Sequence, residues 1–247
     1  METKQPKAKK AKKESKGFRG IESAFLVIVV CFIIAVCIYT FILGDVNNFT
    51  DATKAEPKPG NMLGTIYKGG IIVPVLQTLL LTVLVLSIER AFAIMTAKGK
   101  GSLTKFVANV KAALAANDLA KAQEYCDKQR GSVGSVVTSA LKKYAEMENN
   151  TELTKEQKLA SIQKEVEEAT ALELPTLEMN LAVIATMTTL GTLVGLLGTV
   201  LGMIRSFAAL ATATGAPDSV ALSTGISEAL VNTAFGIATG ACAVISY

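Results

Sequence analysis

The sequence has no histidine and no tryptophan, and its four cysteines follow no CxxC spacing. Histidine is the side chain that most often serves as a general base or metal ligand near neutral pH, so its absence removes the commonest part of such sites. Phosphate-binding loops, G-x-S-x-G and H-E-x-x-H motifs are also missing. We therefore expect no enzymatic activity, no metal and no cofactor. We interpret the cysteines as small buried hydrophobic residues rather than as a disulfide framework.

Charged residues are scarce as well: they make up 19% of the chain, against about a quarter in an average soluble protein. The shortage is concentrated in apolar runs, each close to the roughly 20 residues that a helix needs to cross a bilayer. We therefore predict an all-α, multi-pass helical membrane protein with spans at residues 21–43, 70–95, 179–204 and 220–247. The first run is too long for a signal peptide and has no clear cleavage site, so we favour a span that is retained.

Lysine and arginine are distributed unequally around these runs, and such residues collect on the cytoplasmic side of membrane proteins. Eight of them precede the first run, in a basic arm at residues 1–20, whereas the loop 205–219 holds only Arg205. The counts predict that the N-terminus and a segment at 96–178 lie inside, and that the loops 44–69 and 205–219 lie outside. We interpret the arm as a solvated topology signal. Contact with anionic lipid is the alternative, and nucleic acid is disfavoured because no aromatic motif accompanies the lysines.

The segment 96–178 has the periodicity and start signals of helices, with apolar residues recurring every three to four positions. Asp118 is placed to cap one helix, and Thr154 with Gln157 forms a capping box that opens another. Pro175 is expected to kink this last helix or to end it near the membrane. We predict extensions of the long membrane helices together with two or three shorter helices.

The third run carries a seam of small and hydroxyl-bearing residues: Thr188, Thr192, Gly195, Thr199, Gly202 and Ser206. Small residues let two helices approach closely in lipid, so helix packing is the simplest interpretation. In the fourth run, most polar residues share a helical face with one acid, Glu228. These are Thr224, Asn232, Thr239, Cys242 and Ser246, whereas Thr233 lies about 140° away. We interpret this stripe as the lining of a water-accessible or proton-conducting path.

Glu228 lies eight residues into the fourth run, roughly 12 Å along the helix. An acid at mid-bilayer costs about 2.5–3.5 kcal/mol to insert, and such residues usually face the interior of a bundle. With Arg205 the only nearby base, we expect burial to favour the neutral carboxyl, and we place Glu228 beside a proton path. The alternative is structural: Glu228 accepts hydrogen bonds from threonine or asparagine neighbours and holds subunits together.

Two stretches of these runs carry family motifs. The stretch VGLLGTVLGMIRSFAAL, followed by ISEALVNTAFGIATGACAV, closely resembles the ExbB/TolQ/MotA proton-channel family and most resembles its ExbB members. The match is specific within residues 194–244. It extends more loosely to residues 69–94, which resemble the first span of the family with its Glu-Arg exit.

The resemblance implies a subunit of the bacterial inner membrane that assembles into a ring homo-oligomer, pentameric in this family. The ring surrounds helices of an ExbD-like partner whose aspartate carries the proton, and force passes to a TonB-like protein that energises outer-membrane transport. By the motif, Thr199 and Thr233 match threonines that face this aspartate, and Glu228 matches the acid above them. Thr192 from the seam and Asn232 from the stripe complete the predicted proton pathway and pore lining, although Asn232 has no counterpart in the motif. The expected partners are further copies of the chain, the ExbD-like and TonB-like proteins and lipids, without nucleic acid.

Two features depart from the family. It usually has three spans, so residues 21–43 form an added helix that places the N-terminus inside. The chain also ends at Tyr247 without the basic residues expected after an inward-running helix, which we interpret as truncation.

The resemblance favours a proton-driven motor subunit for outer-membrane transport, with a TolQ-like envelope role or a gliding or flagellar-type stator as the alternative. A different class is a non-conducting membrane scaffold whose seams only pack. A secondary transporter is disfavoured because the sequence shows no inverted repeat and no second charged site.

Overall fold

The computed structural model describes residues 24–54, 56–211 and 219–247. The basic arm 1–20, the start of the first predicted span and residues 212–218 of the last predicted loop lie outside the described residues. Within the described ranges the chain is helical, with turns and an isolated antiparallel bridge between Phe49 and Pro57. The predicted all-α class is confirmed.

The described ranges contain four helices long and apolar enough to cross a membrane, which confirms the multi-pass prediction. They are α1 (Ala24–Cys37), continued by a π-helical turn at Ile38–Leu43, then α3 (Ile72–Ala97), α8 (Leu181–Ala211) and α9 (Ser219–Ser246). Pro74 lies in the first turn of α3, where its missing N–H interrupts no helical hydrogen bond.

The shorter helices are α2 (Met62–Tyr67), α4 (Leu103–Ala115), α5 (Leu119–Gln129), α6 (Gly131–Glu148) and α7 (Lys155–Glu178). Helix α2 lies in a stretch that we predicted as a loop. It is a short helix that begins because the Asn61 side chain accepts hydrogen bonds from the Leu63 and Gly64 amides, at 2.9 and 3.2 Å.

The predicted start signals of α5 and α7 are confirmed. Asp118 accepts a hydrogen bond from the Lys121 amide at 2.9 Å. Thr154 and Gln157 cap each other's backbone amides, at 2.9 and 3.3 Å. Pro175 lies inside α7, which continues to Glu178, so the alternative that the helix ends at this proline is wrong.

The chain divides into two compact units, and the described part of the first is Ala93–Glu173. Its core is formed where α4, α5 and α6 pack together. The buried residues are Phe106, Val110, Ala113, Ala122, Cys126 and Leu141. These side chains are few and mostly small.

The second unit comprises Gly20–Phe92 and Leu174–Tyr247, and it contains the apolar helices. A core from α1, α3, α8 and α9 lies at its centre: Val27, Cys31, Val83, Leu86, Ile184, Met187 and Ala243. Many large apolar side chains elsewhere on these helices are exposed, for example Phe25 and Phe207. Such a surface is suited to lipid or to other membrane helices.

Helices α8 and α9 make the closest pair in this unit, because glycines remove side chains from their contact. A Cβ atom placed on Gly195 would lie 2.9 Å from the Cα atom of Gly236. A Cβ atom on Gly236 would lie 2.7 Å from the Gly191 carbonyl oxygen. The two backbones are therefore in direct contact, as predicted for a small-residue seam.

Candidate functional site

An ion pair joins the C-terminal part of α8 to the N-terminal part of α9. The Nη1 atom of Arg205 donates hydrogen bonds to both carboxylate oxygens of Glu228, at 2.6 and 2.7 Å. The Glu228 side chain is only 4% exposed, whereas that of Arg205 is 56% exposed. The guanidinium supplies a counter-charge that offsets the cost of burying the carboxylate.

A tight turn at Gly69 and Gly70 lies against the same carboxylate. Gly70 has a φ of 75°, and a Cβ atom there would lie 2.5 Å from Glu228 Oε1 and 3.2 Å from Arg205 Nη1. Both the backbone conformation and the space therefore require glycine at this position. The Asn232 side-chain amide donates a hydrogen bond to the Gly69 carbonyl at 2.9 Å, which ties the turn to α9.

Two threonine hydroxyls form a second link between α8 and α9. Thr199 and Thr233 are both half-buried, and their Oγ1 atoms are hydrogen-bonded to each other. Each hydroxyl also reaches a carbonyl of its own helix, Thr199 that of Gly195 at 3.2 Å and Thr233 that of Ala229 at 3.1 Å. Since a hydroxyl both donates and accepts, the pair can transmit a proton by exchanging hydrogen bonds.

Of the remaining predicted site residues, Thr192 lies seven residues before Thr199 on the same face of α8, whereas Asn232 lies elsewhere. Thr192 is exposed, and its hydroxyl donates to the Thr188 carbonyl at 3.1 Å. It borders an open, mainly apolar groove of about 470 Å³ between α8 and α9. Asn232, by contrast, is fully buried beside Gly198, and its Oδ1 atom has no hydrogen-bond partner among the described residues.

Part of the polar stripe of α9 packs against α8 within the chain. Asn232 and Thr239 are both fully buried, and a Cβ atom on Gly191 would lie 3.0 Å from Thr239 Cβ. The glycines of α8 leave room for the polar side chains of α9 to pack against its backbone. These members of the stripe therefore lie on the packing face, whereas its other members are half-buried, as Thr233 is: Thr224, Cys242 and Ser246.

The part of the chain that holds both polar links is similar to known proteins. Residues 132–247 match the MotA/TolQ/ExbB proton channel family. This part of the chain, a little under half of it, is similar to that family. It includes α7, α8 and α9, so the ion pair and the threonine pair both lie within the family region.

A curated relative agrees with the family match. The "Putative biopolymer transport protein ExbB-like 3" of Synechocystis sp. is 42% identical over 73 residues, which are 29% of this chain. The aligned residues span 35% of that relative, about a third of its length. The resemblance stated from the motifs is confirmed over the matched residues.

A second ion pair, with both members buried, was not predicted from the sequence and is formed by two consecutive residues of α3. Arg90 donates to Glu89 from Nε at 2.7 Å and from Nη2 at 2.6 Å, and from Nη1 to the Thr176 carbonyl at 3.1 Å. Both residues are buried. A pair of opposite charges inside an apolar run was the available signal, because two buried charges need each other as partners.

Proposed function

We propose that this chain is a proton-channel motor subunit that works with an ExbD-like partner. Several copies form a ring in the bacterial inner membrane around the partner helices. Proton flow through this assembly drives mechanical work on a TonB-like protein for outer-membrane transport. The observation that carries the proposal is the Thr199–Thr233 hydroxyl pair, half-exposed on two adjacent helices of the family region.

The two polar links have different roles in this proposal. The hydroxyls of Thr199 and Thr233 face a partner carboxylate and exchange hydrogen bonds with it as it gains and loses a proton. Glu228 lies five residues before Thr233, roughly 7.5 Å along α9. Its charge, held by Arg205, sets the electrostatic potential along the route of the proton. Each proton that crosses about 100 mV releases about 2.3 kcal/mol, which can bias two arrangements of packed helices.

The orientation is also part of the proposal. The excess of lysine and arginine before α1 and after α3 supports a cytoplasmic N-terminus and a cytoplasmic segment at 96–178. Helix α9 then runs from outside to inside, and the Glu228–Arg205 pair lies in the outer half of the membrane. A proton from outside meets this pair before it meets the threonines.

Growth on siderophore-bound iron tests the function in cells that lack their own copy of the subunit. The chain is supplied with its ExbD-type partner, either as wild type or as E228Q, T199V or T186V. We expect E228Q and T199V to abolish growth. T186V is the matched control, because Thr186 is exposed on the same helix and its hydroxyl only donates to the Val183 carbonyl at 2.8 Å. Full growth of both E228Q and T199V would instead support a membrane scaffold.

The same cells separate the transport role from an envelope-maintenance role. A TolQ-like subunit would restore resistance to detergents and bile salts without restoring growth on siderophore iron. A transport subunit would restore growth on iron and leave detergent sensitivity unchanged. The proposal predicts the second result.

A further inference from the structure

The first membrane helix reaches the candidate site through one aromatic residue. Tyr39, in the π-helical turn that continues α1, stacks on Tyr67 of α2, with ring centroids 4.7 Å apart and an interplanar angle of 17°. Its hydroxyl donates to the Tyr67 carbonyl at 3.3 Å.

Tyr67 in turn holds the glycine turn. Its carbonyl accepts a hydrogen bond from the Gly70 amide at 3.2 Å, in addition to the Tyr39 hydroxyl. Its ring meets Phe49 edge-on, with centroids 5.4 Å apart, and the Lys54 ammonium lies 5.4 Å from the ring centroid. Tyr67, where the turn begins, is therefore held in place by contacts with Tyr39, Phe49 and Lys54.

The other end of the turn is fixed on α9. Gly69 is buried, and its carbonyl accepts the hydrogen bond from Asn232 at 2.9 Å. Gly70 comes so close to the Glu228 carboxylate that even a methyl group would not fit. A continuous set of contacts thus runs from Tyr39 through Tyr67 to the turn and the carboxylate.

We propose that Tyr39 and the Gly69–Gly70 turn are positioning elements that press the Glu228 carboxylate onto Arg205 and cover it. Helix α1, which the family usually lacks, keeps the turn in contact with the carboxylate through Tyr39. The carboxylate stays ion-paired and shielded from reagents while the contacts last. The consequence for proton flow rests on the proposed function, whereas the positioning itself does not.

Labelling of Glu228 by dicyclohexylcarbodiimide measures the cover directly, because this reagent attacks protonated carboxyl groups in apolar surroundings. The full chain in detergent is labelled as wild type, G70A or G60A, and the rate at Glu228 is read by peptide mass spectrometry. We expect G70A to raise the rate about tenfold, because the displaced carboxylate loses its charge-assisted hydrogen bonds. G60A is the matched control: Gly60 has a φ of 80°, similar to that of Gly70, and a Cβ atom there would meet nothing within 4 Å.

Variants of Tyr39 test the contribution of α1 without touching the turn. Y39F removes only the hydroxyl that meets the Tyr67 carbonyl, and Y39A removes the stacked ring as well. We expect a small increase in labelling for Y39F and a larger one for Y39A. Y144A, which changes a partly exposed tyrosine of α6, should leave the rate unchanged. A general loss of stability would follow the same order, so thermal unfolding is measured on each variant, and the increase in labelling is expected in a Y39F chain that unfolds at the wild-type temperature.

Two outcomes overturn the inference. One is equal labelling of G70A, G60A and wild type. The other, which serves if G70A does not fold, is a folded Y39A that is labelled at the wild-type rate. Proton flux measured on the same variants with the partner present separates this inference from the proposed function. If G70A is labelled faster but the wild-type chain conducts no protons, the positioning inference stands and the channel proposal is wrong. If labelling is unchanged but the flux depends on Glu228, the channel proposal stands and the positioning inference is wrong.

Discussion

The Nη1 atom of Arg205 donates two hydrogen bonds to the Glu228 carboxylate, at 2.6 and 2.7 Å, across the contact between α8 and α9. The pair is unequal, because the Glu228 side chain is 4% exposed and that of Arg205 is 56% exposed. Arg205 alone can be solvated by water or lipid headgroups. The buried carboxylate depends on its partner.

This inequality predicts that R205Q destabilises the protein more than E228Q. R205Q leaves a buried carboxylate without a counter-charge and should lower the free energy of unfolding by about 2–3 kcal/mol, against about 1 kcal/mol for E228Q. Denaturant unfolding in detergent micelles measures both values, and the double variant gives their coupling. E124Q is the control, because the side chains of the Lys128–Glu124 pair are 67% and 60% exposed and water already solvates the charge that remains. A loss in R205Q no larger than that in E124Q contradicts the account.

The direct backbone contact of α8 and α9 predicts that alanine lowers the stability of the protein more at Gly195 than at Gly240. In G195A the new methyl group would lie 2.9 Å from the Gly236 Cα atom, so the helices must separate. We expect a loss of about 1–3 kcal/mol, as for overpacked cores. In G240A the nearest atom is the hydroxyl of the exposed Thr192, at 3.1 Å, which can rotate away. Equal thermal stability of the two variants would show that the helices are not held as described.

Much of this fold follows from local signals in the sequence. The long apolar runs predicted the membrane helices, and the cap residues Asp118 and Thr154 predicted where α5 and α7 begin. These features depend on neighbouring residues and on helical period, which a single sequence contains. The small-residue seam also predicted that α8 would pack closely against another helix.

The site was less predictable, because its contacts join residues far apart in the chain. The helical wheel placed Asn232 and Glu228 on one face, but it could not show that this face meets the glycines of α8. The turn at Gly70 lies more than a hundred residues before Glu228. The motif resemblance, by contrast, selected Thr199 and Thr233, which the structure brings into hydrogen-bond contact.

The buried cysteine of the first unit gives a pH-dependent prediction. Cys126 is 3% exposed, and burial raises the pKa of its thiol. The thiol therefore stays protonated at a pH where the unfolded chain begins to ionise. Its contribution to stability is present below the unfolded pKa of roughly 8.5 and is lost as the pH rises through the folded value. We expect the free energy of unfolding to fall above about pH 8.5.

Two measurements check this prediction. Two proteins are compared, and in both the other cysteines are replaced by alanine. The fall in stability should be smaller in the protein that also carries C126A than in the one that keeps Cys126. Alkylation of Cys126 at pH 8 should be at least about tenfold slower in the folded chain than in denaturant. Equal alkylation rates in the two states would contradict the burial of this side chain.

The proposed ring predicts a defined mass for the assembly. Native mass spectrometry of the chain purified with its ExbD-type partner should show several copies of the 25.9 kDa chain in addition to the partner chains. The family resemblance gives five copies. The chain purified without the partner should keep the same number of subunits. A single copy in both preparations would contradict the ring.

Proton flux into liposomes tests the central claim most directly. The chain and its ExbD-type partner are reconstituted together, and a pH-sensitive dye inside the liposomes reports the flux under an imposed gradient. The account predicts that T199V T233V lowers the flux at least about tenfold, because valine keeps the shape of threonine but removes the hydroxyls that relay the proton. T186V, from the same helix, should match wild type. Equal flux in T199V T233V and T186V would contradict a proton path along the threonine pair.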